Sequence, residues 1–376
     1  MQAFSAFPYS SFTPPIPTAL VIPTGIGAPI GGYAGDAIPS ARLLAAASGF
    51  LITHPNVMNG AALYWNDLRI QYVEGYALDL FLAGELRLQF SRSHKIGLLL
   101  DSGIEEELIF RHLQVVDACR ATLGIDIGSV AITEVPIEIE FSEGSSGASW
   151  GIVSNPEVLI STGQKLKDSG CTAIAVVTRF PDESPINKDF DLYMKGEGVD
   201  PIAGAEAVIS HLLVREFLIP CAHAPALKVN PINLQADPVV AAEEIGYTFL
   251  NSVLVGLSRA PNLLPCKPES FKENNSIINE ISVNNLEVLV LPDCALGGEP
   301  VLSAIENGIQ IIGVSSPSIN KIAKVNLEIK KEIISKHKNL YHNASNYLEA
   351  AGILMQLREG ISLESTNRPI FPKATI

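Results

Sequence analysis

Short apolar, β-branched runs recur along the chain between about residues 19 and 315. Each is followed by a loop rich in glycine or polar residues and then by a stretch with helical periodicity. The runs are Ala19–Ile22, Phe50–Thr53, Ile96–Leu100, Ser129–Thr133, Thr172–Thr178, Leu286–Leu291 and Ile309–Gly313. A run that is apolar throughout, without alternation, fits a strand buried on both faces, as in a parallel sheet. Alternation of such runs with helices predicts an α/β fold: one or more mostly parallel sheets with helices on both faces, in Rossmann-like layers. Pro136–Phe141 departs from this, because Ile137, Ile139 and Phe141 alternate with Glu138 and Glu140. A half-exposed antiparallel strand is expected there.

Local signals place the helices. Ile104–Leu123 follows Ser102 as its cap; Asn155-Pro156 opens Glu157–Ser169, which Gly170 stops; Asp200-Pro201 opens Ile202–Phe217. Asp237-Pro238 opens Val239–Leu257, Gly298 leads into Glu299–Asn307, and a last helix spans Ala344–Glu359. These are the Asx, Pro and Gly punctuation marks of helix ends. Leu263–Asn285 is polar, holds Pro265, Pro268 and Asn274-Asn275, and reads as a linker. The expected division is an N-terminal arm (1–17), an α/β lobe with the Gly-rich loop (18–150), a second α/β lobe (151–320) and a C-terminal helical segment and tail (321–376).

Composition narrows the classes of function. With 47% hydrophobic and 18% charged residues in 376, the chain is globular rather than disordered. Lys plus Arg is 26 against 40 Asp plus Glu, a net charge of −14, which argues against nucleic-acid and anionic-membrane partners. Cys119, Cys171, Cys221, Cys266 and Cys294 are odd in number, widely spaced and without a C-x-x-C pair. That is neither a disulfide framework nor a zinc pattern, and it points to the cytoplasm. No apolar run is long enough to span a bilayer, and the first 17 residues lack Lys and Arg, so no targeting signal is expected. A homo-oligomer is left open.

In parallel α/β sheets, ligands bind beyond the carboxyl ends of the strands. Thr24-Gly25, His54, Asp101-Ser102, Glu134, Arg179 and Asp293 stand at those points. The most distinctive segment, Pro23–Asp36, carries five glycines. Such a loop lets backbone amides approach a carboxylate or phosphate, so Thr24, Gly25, Gly27, Gly31 and Gly32 are candidate ligand contacts. A tight structural loop is the alternative. The dinucleotide fingerprint fails, because Ile30 replaces its third glycine and the next strand ends in His54 rather than an acid; there is no P-loop lysine either. The cofactor stays open.

After the second strand, His54 is a candidate proton-transfer group, and Asn56 and Asn59 can orient a carbonyl. An Asn-capped helix start is the structural alternative. Gly147–Gly151 matches G-x-S-x-G but lacks the flanking strand and helix of a nucleophile elbow. Ser145, Ser146 and Ser149 read instead as a hydroxyl-rich ligand loop, or merely a loop. Asp200 opens a helix on which Glu206 borders the apolar stripe Ile202, Ala205, Ile209 and Leu212. A desolvated carboxylate there suits a general acid or base. Cys221 and His223 point the same way if their segment is extended, as a thiolate–imidazole pair or, with His211, around a metal. Neither spacing is a recognised ligand pattern, so no metal site is assigned. Asp293 with Gly297 and Gly298 forms a second candidate anion cradle at a helix start.

The strings PTGIGAPIGGYAGDAIPSARLLA, THPNVMNGAALYW, YVEGYALDLF, RATLGI, SSGASWGIVSNPEVL, GVDPIAGAEAVISHLL and PCAHAP resemble a family of unknown function associated with oxygenic phototrophs. The resemblance spans most of residues 18–315 and brings no catalytic residues with it. It implies a cytoplasmic or stromal location and a metabolic role. Together these readings lead to a small-molecule enzyme that binds an anionic substrate in a cleft. His54, Glu206 and His223 would carry acid–base chemistry, and the glycine loops, Asn, Ser and Asp residues would face one cleft with them. The alternative is a ligand-binding, regulatory or assembly protein without turnover.

Overall fold

The apolar runs become the interior strands of two parallel sheets. A computed structural model describes residues 13–23, 25–27, 36–58, 67–144, 147–180, 192, 195–228, 237–240, 248–266, 279–315, 335–366 and 368–372. In chain order its first elements are β1 (Thr18–Leu20), α1 (Ile38–Ser48), β2 (Leu51–Thr53), α2 (Pro55–Met58), β3 (Ile70–Tyr72), α3 (Gly75–Leu82), β4 (Leu86–Gln89), β5 (Ile96–Leu100) and α4 (Glu106–Leu123). Next come β6 (Ile127–Ile132), β7 (Ile139–Glu143), β8 (Ser149–Val153), α5 (Pro156–Asp168), β9 (Ala173–Arg179), α6 (Ala203–Phe217), β10 (Cys221–Ala226) and α7 (Thr248–Ser258). The last are β11 (Asn262–Pro265), β12 (Glu280–Ile281), β13 (Val288–Pro292), α8 (Glu299–Glu306), β14 (Gln310–Val314), β15 (Tyr341–Ala344) and α9 (Tyr347–Arg358).

Six strands form one sheet in the order β15-β14-β13-β1-β2-β3, and four form another, β10-β9-β5-β6. Every pairing within these two sheets is parallel. Strands β5 and β13 are buried at every position, which requires cover on both sheet faces. The expected α/β architecture is therefore present. The sheets draw strands from both sides of residue 150: β1–β3 pair with β13–β15, and β5 and β6 with β9 and β10.

Several boundaries differ from the sequence reading. The stretch read as a linker supplies β11 and β12, which pair antiparallel with β4 in a three-stranded sheet. Ser102 does not cap α4; its amide donates to Thr133 Oγ1, and Glu105 stands at the cap position. The helix expected at Val239–Leu257 is a 3-10 turn at Pro238–Val240 and then α7, with 241–247 outside the described residues. The alternating segment does form an antiparallel hairpin, β7 with β8. The N-terminal arm is anchored from Thr13 on, because Arg358 donates to the carbonyls of Thr13, Pro14 and Ala47.

Candidate functional site

Helix α6 joins the two parallel sheets at the carboxyl ends of their strands. Its first turn lies against β8 with no room for side chains. A Cβ on Gly151 would collide with Ala205, and one on Gly204 with the backbone of Ser149 and Trp150. Gly25 completes this junction: its φ of +71° is left-handed, its carbonyl accepts from the Ser149 amide at 3.0 Å, and a Cβ there would strike the Ser149 hydroxyl. Glycine is required at these points because backbone meets backbone. The Ser149 hydroxyl accepts from the Gly204 amide at 3.2 Å, and Asp200 Oδ1 accepts from the Ile202 amide at 3.0 Å. Ser149 and Asp200 thus satisfy amides of the α6 start that an anionic ligand would otherwise take.

One turn further on, Glu206 faces the four-stranded sheet. His223, in the middle of β10, shares its Nε2 with the hydroxyl of Thr178 on neighbouring β9 at 2.7 Å. Its Nδ1 lies 3.3 Å from Glu206 Oε1, short of a formed hydrogen bond, and is a buried nitrogen with no hydrogen-bond partner. The His223 side chain is 2% exposed and that of Glu206 27%, so the carboxyl is the reachable end of this line. Burial pushes the imidazole down to about 3, against the partial lift from the charge of Asp101. The ring is therefore neutral at physiological pH. Burial raises the carboxyls of Glu206 and Asp200, and the charge of Glu206 raises Asp200 further, against the pull of the Ile202 and Ala203 amides. The Phe180 ring covers His223 at 5.5 Å. Asp101, at the end of β5, accepts from the amides of Gly103, Ile137 and Arg179 and ties the strand ends together.

His54 is employed differently from what its position suggests. Its Nε2 accepts from the Ile22 amide at 3.0 Å, Asn56 donates to the Ile22 carbonyl at 2.9 Å, and Thr53 donates to the Leu20 carbonyl at 2.8 Å. These three side chains clamp the end of β1 just before the Gly-rich loop. Burial, then the charge of His211, lowers His54 to about 4. The Cys221 thiol donates to the Ile219 carbonyl, and burial raises it well above its ordinary value, so it is no thiolate. Ser149 begins β8 rather than sitting between a strand and a helix, which excludes the nucleophile elbow.

Asp293 is buried at the end of β13. Gly298 caps α8 with its carbonyl, which accepts from the Val301 amide, and Gly297 precedes it half-buried. Burial, and then the charge of Asp293, pushes the Tyr341 phenol up to about 12. Gly27 is buried beside Gly25. Thr24, Gly31, Gly32, Asn59, Ser145 and Ser146 lie outside the described residues. Direct contacts thus join Gly25, Ser149, Asp200, Glu206 and His223 around the start of α6, while His54 and Asn56 serve β1 and Asp293 belongs to the β13 end.

Sequence reasoning missed Glu74, Ser210 and the use made of His211. Glu74 caps α3, with Oε2 accepting from the amides of Tyr76 and Ala77 and Oε1 from Ser210 and His211 on α6. The signal was weak, since Glu is not among the residues that usually cap a helix and its partners on α6 are distant in sequence. A separate cavity of about 170 Å³ opens between Tyr72, Phe90 and Arg259 and contains none of the residues singled out from the sequence. Among the described residues, no group of three or more His, Cys, Asp or Glu is placed to hold a metal, and no helix is long and apolar enough to cross a membrane.

A family model described as "protein of unknown function (DUF3326)" matches residues 17–367. The chain belongs to this family. It is also 45% identical over 345 residues to an uncharacterised lipoprotein of a Synechococcus strain, covering 92% of this chain and 91% of the relative. The relative comes from an oxygenic phototroph, as the sequence resemblance implied.

Proposed function

We propose that the protein is a small-molecule enzyme that performs proton transfer, with Glu206 as the exchanging group and His223 behind it. One observation carries this reading: the buried Nδ1 of His223 has no hydrogen-bond partner and points at the half-exposed Glu206 carboxyl 3.3 Å away. Leaving such an atom unpaired costs about 1–3 kcal/mol, a cost tolerated chiefly where the group works. The chemistry is balanced in both states. With Glu206 protonated, its O–H faces the Nδ1 lone pair and Nε2–H donates to Thr178. With Glu206 ionised, Nδ1–H faces the carboxylate and Thr178 donates to Nε2. The ring is neutral in each, and the charge that appears when Glu206 gives up its proton rests on the carboxyl, the more exposed end of the pair. A carboxyl raised toward neutrality is matched to such work.

The five cysteines are all free, which supports a reducing compartment, and we place the protein in the cytoplasm. The relative's name, lipoprotein, is the competing indication. The substrate is sought by mass spectrometry of small molecules that co-purify with the protein. Those molecules, and a panel of carboxylates and phosphates, are then incubated with it in D2O and followed for C–H to C–D exchange. Glu206→Gln and His223→Asn are expected to lose about 10²-fold or more of the exchange, the range of a lost general acid or base. If the molecules bind but nothing exchanges or turns over, the protein is a binding module and the enzyme reading is wrong.

A further inference from the structure

We infer that Glu74 and His211 form a second, solvent-facing proton-transfer dyad at the carboxyl edge of the six-stranded sheet, built for a neutral or cationic substrate group. The carboxylate of Glu74 is 2% exposed and receives four hydrogen bonds, from two α3 amides, the Ser210 hydroxyl and His211 Nε2 at 3.0 Å. It is locked in place, and through it so is the ring. The imidazole itself is 39% exposed. With Nε2–H committed to Glu74, the tautomer is set, and Nδ1 carries the lone pair that can take a proton. A buried carboxylate that fixes the tautomer of an accessible imidazole is the arrangement that orients a general base. His223 shows the opposite design, a buried ring behind a half-exposed carboxyl.

Room for the ring is built into the backbone. A Cβ on Gly75 would sit 3.1 Å from His211 Nε2, tighter than ordinary van der Waals contact, so glycine at the first position of α3 lets the ring approach Glu74. The charged and titratable neighbours are Glu74 at the α3 cap, Tyr76 and Asp79 on α3, His54 after β2, and Glu299 on α8, which acts on Asp79. Burial lowers the imidazole, and the hydrogen bond and charge of Glu74 with the charge of Asp79 more than reverse this, so the net effect is upward. Three of these neighbours are carboxylates. They repel an anion and favour a neutral or positively charged group next to Nδ1. His211 lies five positions after Glu206 on α6, about 140° around a helix, so the two face different sides of it.

The test is carbethoxylation by diethyl pyrocarbonate, resolved by residue with mass spectrometry across pH. An accessible neutral imidazole attacks the reagent's carbonyl and releases ethyl carbonate, so the rate reports both access and protonation. His211 is expected to react on the order of tenfold faster than the buried His54 and His223, with its midpoint above the ordinary histidine value near 6.5. Glu74→Gln lowers that midpoint. Gly75→Ala also lowers it, with no charge altered and the α3 cap retained. Tetramethylammonium slows the reaction and acetate does not. The inference is overturned if His211 reacts no faster than the two buried rings, if both variants leave its midpoint unchanged, or if acetate protects better than the cation. None of these outcomes depends on Glu206, so the dyad stands or falls apart from the reading above.

Discussion

His54 offers a quantitative test of the electrostatics at the strand ends. The folded chain protonates this ring near pH 4, because it is buried and its Nε2 must accept the Ile22 amide. The unfolded chain protonates it near 6.5. A depressed histidine stabilises the fold fully above its unfolded value and loses that contribution as pH falls toward the folded value. Between the two, unfolding takes up one proton, and stability drops by about 1.4 kcal/mol per pH unit. By pH 4 the loss from this residue comes to about 3 kcal/mol, a sizeable share of a typical folding free energy. Other groups titrate in the same range, and the raised carboxylates of Asp79, Asp200 and Glu206 act in the opposite sense, so the wild-type profile alone does not isolate the effect. A difference does. His54→Gln keeps an acceptor for the Ile22 amide but has no proton to gain. Urea unfolding at pH 7.5 should find it less stable by about 1–2 kcal/mol from imperfect replacement of the ring. That gap should close and reverse by pH 4, a relative change of about 3 kcal/mol. Parallel stability curves for the two proteins would refute both the burial argument and the clamp on β1.

Other substitutions test other parts of the structure. Asp79 is raised to about 6 by burial above all, with Glu74 and Glu299 adding to it and His211 opposing. A raised carboxyl destabilises the fold once ionised, so Asp79→Asn should gain up to about 3 kcal/mol at pH 8, and the gain should vanish below about pH 4 in the same urea measurement. Gly151→Ala drives a Cβ into the backbone of Ala205 and should cost about 3 kcal/mol or more, whereas Gly170→Ala, left-handed at φ +86° but in open space, should cost about 1 kcal/mol. Equal losses would count against the close approach of β8 to α6. Arg358→Met removes the donor to three carbonyls and should cost about 2 kcal/mol, exposing the segment around Ile16 to thermolysin; unchanged protease resistance would show that the arm is held by other contacts.

The strands that could be read from the chain are those whose environment is uniform. β5 and β13 are buried on both faces and apolar throughout, and β9 is apolar up to Thr178, so these runs stand out. β3 and β15 form the two edges of the six-stranded sheet, and their sequences, Ile-Gln-Tyr and Tyr-His-Asn-Ala, mix apolar and polar positions because one side meets solvent. β11 and β12 were hidden for a different reason. They are short, lie in a polar stretch, and exist because β4 offers them a partner distant in sequence. Glu206 and His223 were legible as a carboxylate on the border of an apolar stripe and a histidine in a strand. Thr178 was not, since it closes an apolar run and looks like its β-branched end. His54 misled because a histidine just past a strand looks the same whether it meets substrate or, as here, the amide of its neighbouring strand.

The same helix explains why the sheets and the site cannot be assigned to separate halves of the chain. α6 lies between β9 and β10 in sequence, so its position follows from the right-handed crossover that parallel strands favour. Its first turn meets β8 and, through Ser149, Gly25; its second meets His223, and Ser210 with His211 reach Glu74 just past β3. The six-stranded sheet that supplies Gly25 and Glu74 is itself built from residues 18–72 and 288–344, so its edge is complete only when both ends of the chain are in place. The polar contacts of α6 therefore draw on segments from Glu74 to His223, on both parallel sheets. Glu206, Ser210 and His211 are set against both sheets by one helix that is pressed backbone to backbone on β8.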